Sequence, residues 1–225
     1  MISATSRVAS YILRLRVFFF MYDNIVIRFI GEETKTLLDA GCGRGERMKK
    51  IMKQRKMFAI GTDVFRAYLG RAKQIYDQVV CCDIRFLPFK EKIFDTVLCT
   101  EVVEHLQKGE AVRVMADFER LAKSQVIIGT PVGFQQKMPM LMRELIDQAK
   151  KYDSLVGHLD DPRRKHLCGF EPHELDNLGY EVFGADGPQE MYIHLAFAPL
   201  LFLFAPFCYF IPKFAHQMIC VKKIR

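Results

Sequence analysis

"LLDAGCGRGE", residues 37–46, sets an acidic residue and then three glycines at alternate positions directly after an apolar run. An apolar run that stops at an acid and a glycine reads as a buried strand entering a loop. Glycine permits a tight turn with positive φ and lets a ligand approach the backbone. Strand, glycine loop and following helix therefore make a cradle of the nucleotide-binding type.

Outward from this loop, short apolar runs alternate with helical patterns. The runs read as strands are "TLLDAG", "MFAIGTD", "QVVCCD", "FDTVLCT" and "QVIIGTP", followed later by "YEVFGADG" and "HQMICVKKI". Helices are expected over 46–54, 65–74, 102–123 with a break near Gly109, 137–152, and from Pro172 to Gly179. That alternation predicts an α/β domain on a mainly parallel sheet, whose ligands bind beyond the carboxyl ends of the strands. The loop reads G-x-G-x-G, with Glu46 where a dinucleotide site places its third glycine, and the G-K-[ST] ending of a phosphate loop is absent. Asp63 ends the second strand, where a carboxylate accepts hydrogen bonds from ribose hydroxyls, and Asp83 ends the third. A row of acids suits a ligand with hydroxyls, amines and positive charge, and it is a poor place for pyrophosphate.

Taken in order, "LLDAGCGRGE", "IGTD", "CDIRFLPF", "FDTVLCTEVVEHL" and "VIIGTP" resemble the successive motifs of the class I S-adenosylmethionine-dependent methyltransferases, type 11-like, from about Thr36 to Pro131. The resemblance implies a Rossmann-like seven-stranded sheet, order 3-2-1-4-5-7-6 with the seventh strand antiparallel and helices on both faces. It also implies S-adenosyl-L-methionine as cofactor. Gly41, Gly43 and Gly45 would hold its methionine end, Asp63 the ribose, and Asp83 with the Ile84 amide the adenine. Asp39 and Glu101, ending the first and fourth strands, complete the expected cofactor-binding set.

Methyl transfer is an in-line displacement at a carbon activated by a sulfonium, so the protein must position, exclude water and deprotonate the acceptor. No covalent nucleophile is needed, and the cysteines read as packing. In "TEVVEHL", helical spacing would put Glu104 and His105 on the face of Glu101, with Glu104 and His105 as the catalytic candidates, a base or substrate-positioning pair. Two carboxylates and an imidazole also suit a divalent cation. The E-x-x-E-H spelling resembles that of two metal-dependent subfamilies, acting on small RNA and on quinone precursors, and this resemblance would imply a further histidine ligand, with His166 of "KHLCGF" the first choice. The spelling is also common in members without metal, and the expected site carries no metal. The [DNS]-P-P-[YFW] box for nucleobase amines is missing after the fourth strand, which favours oxygen as acceptor.

A chain of 225 residues suits one domain with appendages. Seven cysteines without a C-x-x-C pair read as reduced thiols. Residues 1–30, with Arg7, Arg14 and Arg16 before "VFFFMY", are expected to form a retained amphipathic helical segment, and residues 31–225 the methyltransferase domain. An apolar helical insertion, "MYIHLAFAPLLFLFAPFCYFIP" at 191–212, precedes the last strand. It has no Asp, Glu, Lys or Arg and is broken by Pro199 and Pro206. With Lys213, Lys222, Lys223 and Arg225 nearby and a formal charge of +7, docking to a membrane surface is the preferred reading, ahead of an internal lid or a homodimer contact. The expectation is therefore a cytoplasmic, peripherally or monotopically membrane-associated O-methyltransferase for a lipid or lipid-linked small molecule. A soluble enzyme for RNA or protein is the alternative, although no basic-aromatic module favours nucleic acid. A cofactor-binding protein without turnover is the third reading.

Overall fold

The computed structural model of the chain describes residues 21–134, 165–188 and 206–224. Within them, α1 (Tyr22–Phe29) precedes β1 (Thr36–Ala40), α2 (Glu46–Met52), β2 (Phe58–Asp63), α3 (Arg66–Ala72) and β3 (Gln78–Cys81). Next come β4 (Phe94–Thr100), α4 (Lys108–Leu121), β5 (Ala122–Pro131), α5 (Pro172–Asn177), β6 (Glu181–Pro188) and β7 (Ala215–Lys223). The strands form one seven-stranded sheet in the order β3-β2-β1-β4-β5-β7-β6. β1 to β5 are parallel, whereas β7 runs antiparallel to both β5 and β6. Fold and strand order agree with expectation. The visible reversal of order between β1 and β4 opens a crevice at the carboxyl ends of these strands, where the glycine loop emerges.

Period-2 alternation divides the central strands between two cores. Leu38, Val97, Val126 and Ile128 join one cluster with Met115, Phe118, Phe170 and Tyr180. Their neighbours Leu37, Leu98 and Ile127 join the other, with Ile25, Met48, Ile51 and Leu69. Both faces of the sheet are therefore buried, as parallel strands require.

The helix α1 belongs to the second core, with Ile25, Val26 and Ile30 wholly buried. Its Tyr22 hydroxyl lies over Gly129 of β5, where a Cβ would sit 1.8 Å from that oxygen. At its other end buried Gln125 donates to the Phe29 carbonyl (2.9 Å) and to Thr96 Oγ1 (3.1 Å), and accepts from Lys223 Nζ (2.6 Å).

Several expected boundaries move. The helix expected over 102–123 is a 3-10 turn, Val103–His105, followed by α4, and β5 begins at Ala122 directly after it. The reason lies at Glu101. Its N–H still donates to Gly129 of the adjacent strand (2.8 Å) while its φ is 58°, left-handed and incompatible with helix. Glu104 and His105 consequently do not share a helical face with Glu101, which corrects that part of the sequence reading. α2 and α3 are each shorter than expected. The helix expected over 137–152, most of the N-terminal segment and most of the apolar insertion lie outside the described residues. Of the insertion, residues 206–210 are helical and run into a 3-10 turn, Pro212–Phe214. Among the described residues no helix is long and apolar enough to cross a membrane.

Candidate functional site

The glycine loop is held to the sheet by the Gly41 and Cys42 N–H groups, both donating to the Thr62 carbonyl at 2.8 Å. Gly41 has φ 85°, and a Cβ there would stand 2.2 Å from Val102 Cγ2, so backbone and side chain meet where only hydrogen fits. Gly43, also left-handed at φ 55°, is different: a Cβ on it would meet nothing within 4 Å, because it faces open space. That space is a cleft of about 880 Å³ lined by Asp39, Gly41, Gly43, Asp63, Asp83, Ile84, Glu101 and His105 among others. Gly45, which caps α2, and Glu104 lie outside its wall.

Each acid on the wall has a distinct setting. Asp63 Oδ2 accepts from Gly43 N (2.8 Å) and Oδ1 from Phe65 N (2.7 Å), which fixes the carboxylate. A carboxylate offers about four lone-pair directions, so hydroxyl donors in the cleft can still be received. Asp83 caps a 3-10 turn, Ile84–Phe86, and is clasped by Arg85, whose Nη2 lies 2.7 Å from Oδ2 and whose Nη1 reaches Glu110 at 3.0 Å. The Arg85 guanidinium holds the Asp83 carboxyl below its usual range. Ile84 opens that turn, the position whose N–H a helix leaves unused. Asp39, 3% exposed, accepts the Tyr76 hydroxyl at Oδ2 while Oδ1 has no partner among the described residues. Burial, partly opposed by the Tyr76 bond and by Arg47, pushes its carboxyl up to about 6. Glu101 receives the Gln217 amide, and burial raises it also, against the pull of Arg47.

Behind the far wall lies a second group. Glu104 is 1% exposed; its Oε2 accepts from Thr130 Oγ1 (3.2 Å), whereas Oε1 has no partner among the described residues. Burial first, then the Glu101 charge, hold it well above the usual carboxylate range. Glu104 lies behind the wall and accepts from Thr130, whereas His105 is on the cleft wall and is the better placed proton acceptor. His105 Nδ1 lies 3.1 Å from the Lys165 carbonyl. The Glu104 carbonyl accepts from Leu167 N (2.8 Å) and Cys168 N (3.2 Å), and this strap brings His166 to His105 with ring centroids 5.1 Å apart. One ligand atom from each of Glu104, His105 and His166 lies within 4.8 Å of the others. His166, singled out in the sequence, is thus beside Glu104 and His105. Glu101 is not in that group.

Sequence reasoning missed Tyr76, Arg85, Thr130 and above all Arg47. Arg47, in the first turn of α2, donates to Asp23 Oδ1 (2.9 Å) and to Thr100 Oγ1, and its guanidinium stands 4.6 Å from the Tyr22 ring centroid. Its partners come from α1 and β4, so no local pattern could have disclosed it. Together with Glu101 it also lines a second cleft of about 660 Å³ with Tyr22, Asp23, Ile27, Lys50, Asp186 and Gln217. The two clefts therefore meet at Arg47 and Glu101.

Residues 38–128 match the family model described as "Methyltransferase domain". An uncharacterized protein of Methanocaldococcus jannaschii is 29% identical in an alignment of 113 positions that covers 44% of this chain and 48% of that protein; the chain thus spans about half the length of this relative. Among solved structures, the fold is similar to a SAM-dependent methyltransferase from Archaeoglobus fulgidus (TM-score 0.54, 16% identity, 95% of this chain and 99% of that one). It is also similar to the magnesium protoporphyrin IX methyltransferase of Synechocystis PCC 6803 with bound SAH (TM-score 0.53, 16% identity, 90% and 82%). A small RNA methyltransferase gives a TM-score of 0.60 at 14% identity over 90% of this chain and 25% of that one. At such identities the structural likeness establishes the fold.

Proposed function

We propose that the chain, whose residues 38–128 match the methyltransferase-domain model, is a class I S-adenosylmethionine-dependent methyltransferase that transfers the methyl group to an oxygen of a lipid or lipid-linked small molecule at a membrane surface. The observation that carries the donor reading is the wall of the larger cleft: an open glycine turn at Gly43 flanked by Asp39, Asp63, Asp83 and Glu101. A sulfonium with an ammonium, a ribose and a purine matches that wall in charge and in hydrogen-bond donors.

The smaller cleft, which joins the donor site at Arg47 and Glu101, is the proposed approach for the acceptor. In the reaction the acceptor O–H gives up its proton, and an oxygen lone pair forms the new C–O bond. The C–S bond breaks with its electrons returning to sulfur, which leaves as a neutral thioether. His105 is the proposed proton acceptor on the wall. A carbonyl can only accept, so its Nδ1 donates to Lys165 O, and the basic lone pair is on Nε2. Glu104 stands behind it as a positioning residue. Support for a lipid acceptor comes from Phe207, Phe210, Ile211 and Phe214, all exposed next to Lys213 and continuous in sequence with the uncharged stretch 191–205.

The test is incubation of the protein with methyl-labelled donor and fractionated cell extract. Label is expected in the lipid fraction, released by cleavage of a methyl ether or ester. Label in RNA or protein overturns the acceptor assignment, and absence of label in every fraction despite donor binding overturns the catalytic one. His105→Asn should lower kcat by about 10²–10⁴-fold with donor affinity little changed.

A further inference from the structure

We propose that Lys50 and Lys53 form a subsite for a phosphate group of the acceptor, at the mouth of the smaller cleft. The inference rests on the reading of that cleft as the acceptor's approach, and it narrows the acceptor to an acidic lipid with a phosphate in its head group. Three basic residues, Arg47, Lys50 and Lys53, line the cleft from α2 and the residue that caps its end. They recur at every third position and so run along one side of the helix. Arg47, where the two clefts meet, has a side chain only 27% exposed; that of Lys50, one turn further, is 61% exposed, and Lys53 is exposed beyond it. The cleft therefore opens toward the lysines.

The charges along this wall do not balance. Asp23 Oδ1 accepts from Arg47 (2.9 Å) and Oδ2 from Lys50, so one carboxylate serves two cations. Lys53 forms no ion pair among the described residues. Three cations against one acid leave a surplus of two positive charges, which matches the charge of about −1.5 to −2 on a phosphate monoester at neutral pH. An ammonium has three N–H donors, so Lys50 keeps two for a ligand beside its bond to Asp23. The other acids of the cleft are at its inner end, Glu101 under the Gln217 amide and Asp186 on the Tyr22 N–H (2.9 Å). Lys50 and Lys53 stand about 5 and 9 Å along the helix axis from Arg47. A phosphate between them is roughly that far from a hydroxyl at the Arg47–Glu101 junction, the spacing within a phosphorylated polyol or sugar head group.

The same side of the sheet carries the exposed rings. α1 meets α2 through Asp23, and at its other end Arg28 stands 5.4 Å from the ring centroid of Tyr209, in the segment that bears Phe207, Phe210 and Phe214. Ile25, Met48, Ile51 and Tyr209 all pack in the second core, so the lysines, the cleft and the aromatic segment share one face. With the rings in the acyl layer this face meets the head groups, and a phosphate enters the cleft while its acyl chains stay in the membrane.

The experiment is calorimetry at low salt on the full chain with dihexanoyl phosphatidic acid below its micellar concentration. One molecule should bind per chain, and dihexanoyl phosphatidylcholine, whose phosphate is offset by choline, should bind at least about tenfold more weakly. Lys53→Gln should weaken phosphatidic acid at least about fivefold, and Lys50→Gln with Lys53→Gln should abolish saturable binding. Affinity for S-adenosylmethionine and the melting temperature should stay near wild type, since both lysines are exposed and neither lines the donor cleft. Lys49→Gln removes the same charge from the same helix but outside the cleft, and should leave the affinity near wild type. No saturable binding of phosphatidic acid, or an equal loss in Lys49→Gln and Lys53→Gln, overturns the subsite. Glycerol 3-phosphate binding as tightly as phosphatidic acid supports the subsite and overturns the lipid source. Donor binding without phosphatidic acid binding sinks the subsite alone. Phosphatidic acid binding without donor binding sinks the methyltransferase reading and leaves the subsite standing.

Discussion

Asp39 is the acid at which donor binding and stability pull in opposite directions. Its carboxyl is raised from 3.8 to about 6 because burial costs more than Tyr76 and Arg47 return. A carboxyl whose folded value lies above its unfolded one stabilises the fold below about pH 4, and that contribution is lost as pH rises through about 6. The shift corresponds to about 3 kcal/mol. Asp39→Asn should therefore raise the stability of the free protein at pH 7.5 by about 1–3 kcal/mol and flatten its dependence between pH 4 and 6, as read from urea unfolding. Donor affinity should show the reverse sign. In wild type it strengthens as Asp39 ionises, and in the variant it falls at least about tenfold at pH 7.5, measured by calorimetry. An unchanged affinity would remove Asp39 from the donor site. Gly41 supplies a second residue-scale prediction. Gly41→Ala meets Val102 at 2.2 Å with φ at 85°, and should cost about 2–4 kcal/mol, of which Val102→Ala in the same chain restores the steric part and leaves about 1–2 kcal/mol of left-handed backbone strain. These acids and glycines were visible in the sequence because their spacing after apolar runs is local. Arg47 was not, since its meaning depends on Asp23, Tyr22 and Thr100, which only the folded chain brings to it.

Among the elements, the parallel strands could be read from apolar runs closed by acids, and β7 from its alternation, because burial on a sheet face writes itself into a short window. The turn after β4 could not. Nothing within "TEVVEHL" says that the Glu101 N–H will remain paired to Gly129 on β5, and it is this non-local bond that forces the left-handed residue and replaces a helix by a 3-10 turn. Because of that turn Glu104 points into the protein instead of lying beside Glu101. The helix α1 shows the same division between pattern and partner: its amphipathic character is local, but its dock is β5 and β7. The dock is tight enough to test. Ile25→Ala empties a wholly buried position in the second core and should cost about 2–4 kcal/mol. Gln125→Leu leaves the Phe29 carbonyl and Thr96 Oγ1 without their donor, and should cost about 1–3 kcal/mol. A loss below about 0.5 kcal/mol in either variant would mean that α1 is not held to the sheet as described.

At the scale of the whole molecule, the charge of +7 and the aromatic patch after residue 206 bear on where the acceptor is found rather than on the chemistry. Phe210 is 76% exposed and Phe214 51%, on either side of Lys213 in the segment that leads into β7 and in neither core. Burying a phenylalanine is worth about 1.5–3 kcal/mol, and a basic residue at an anionic surface about 1 kcal/mol. Replacing both rings therefore removes about 3 kcal/mol or more of any insertion energy, equivalent to at least a hundredfold in partitioning. The full chain should co-float with vesicles containing anionic lipid, weakly in high salt because the electrostatic share is screened. Phe210→Ser with Phe214→Ser should stay at the bottom of the gradient while binding the donor as wild type does, since neither ring lines either cleft. Flotation of the double variant equal to wild type would shift the contact away from this patch, and failure of the wild-type chain to float at low salt would remove the membrane surface from the proposed function.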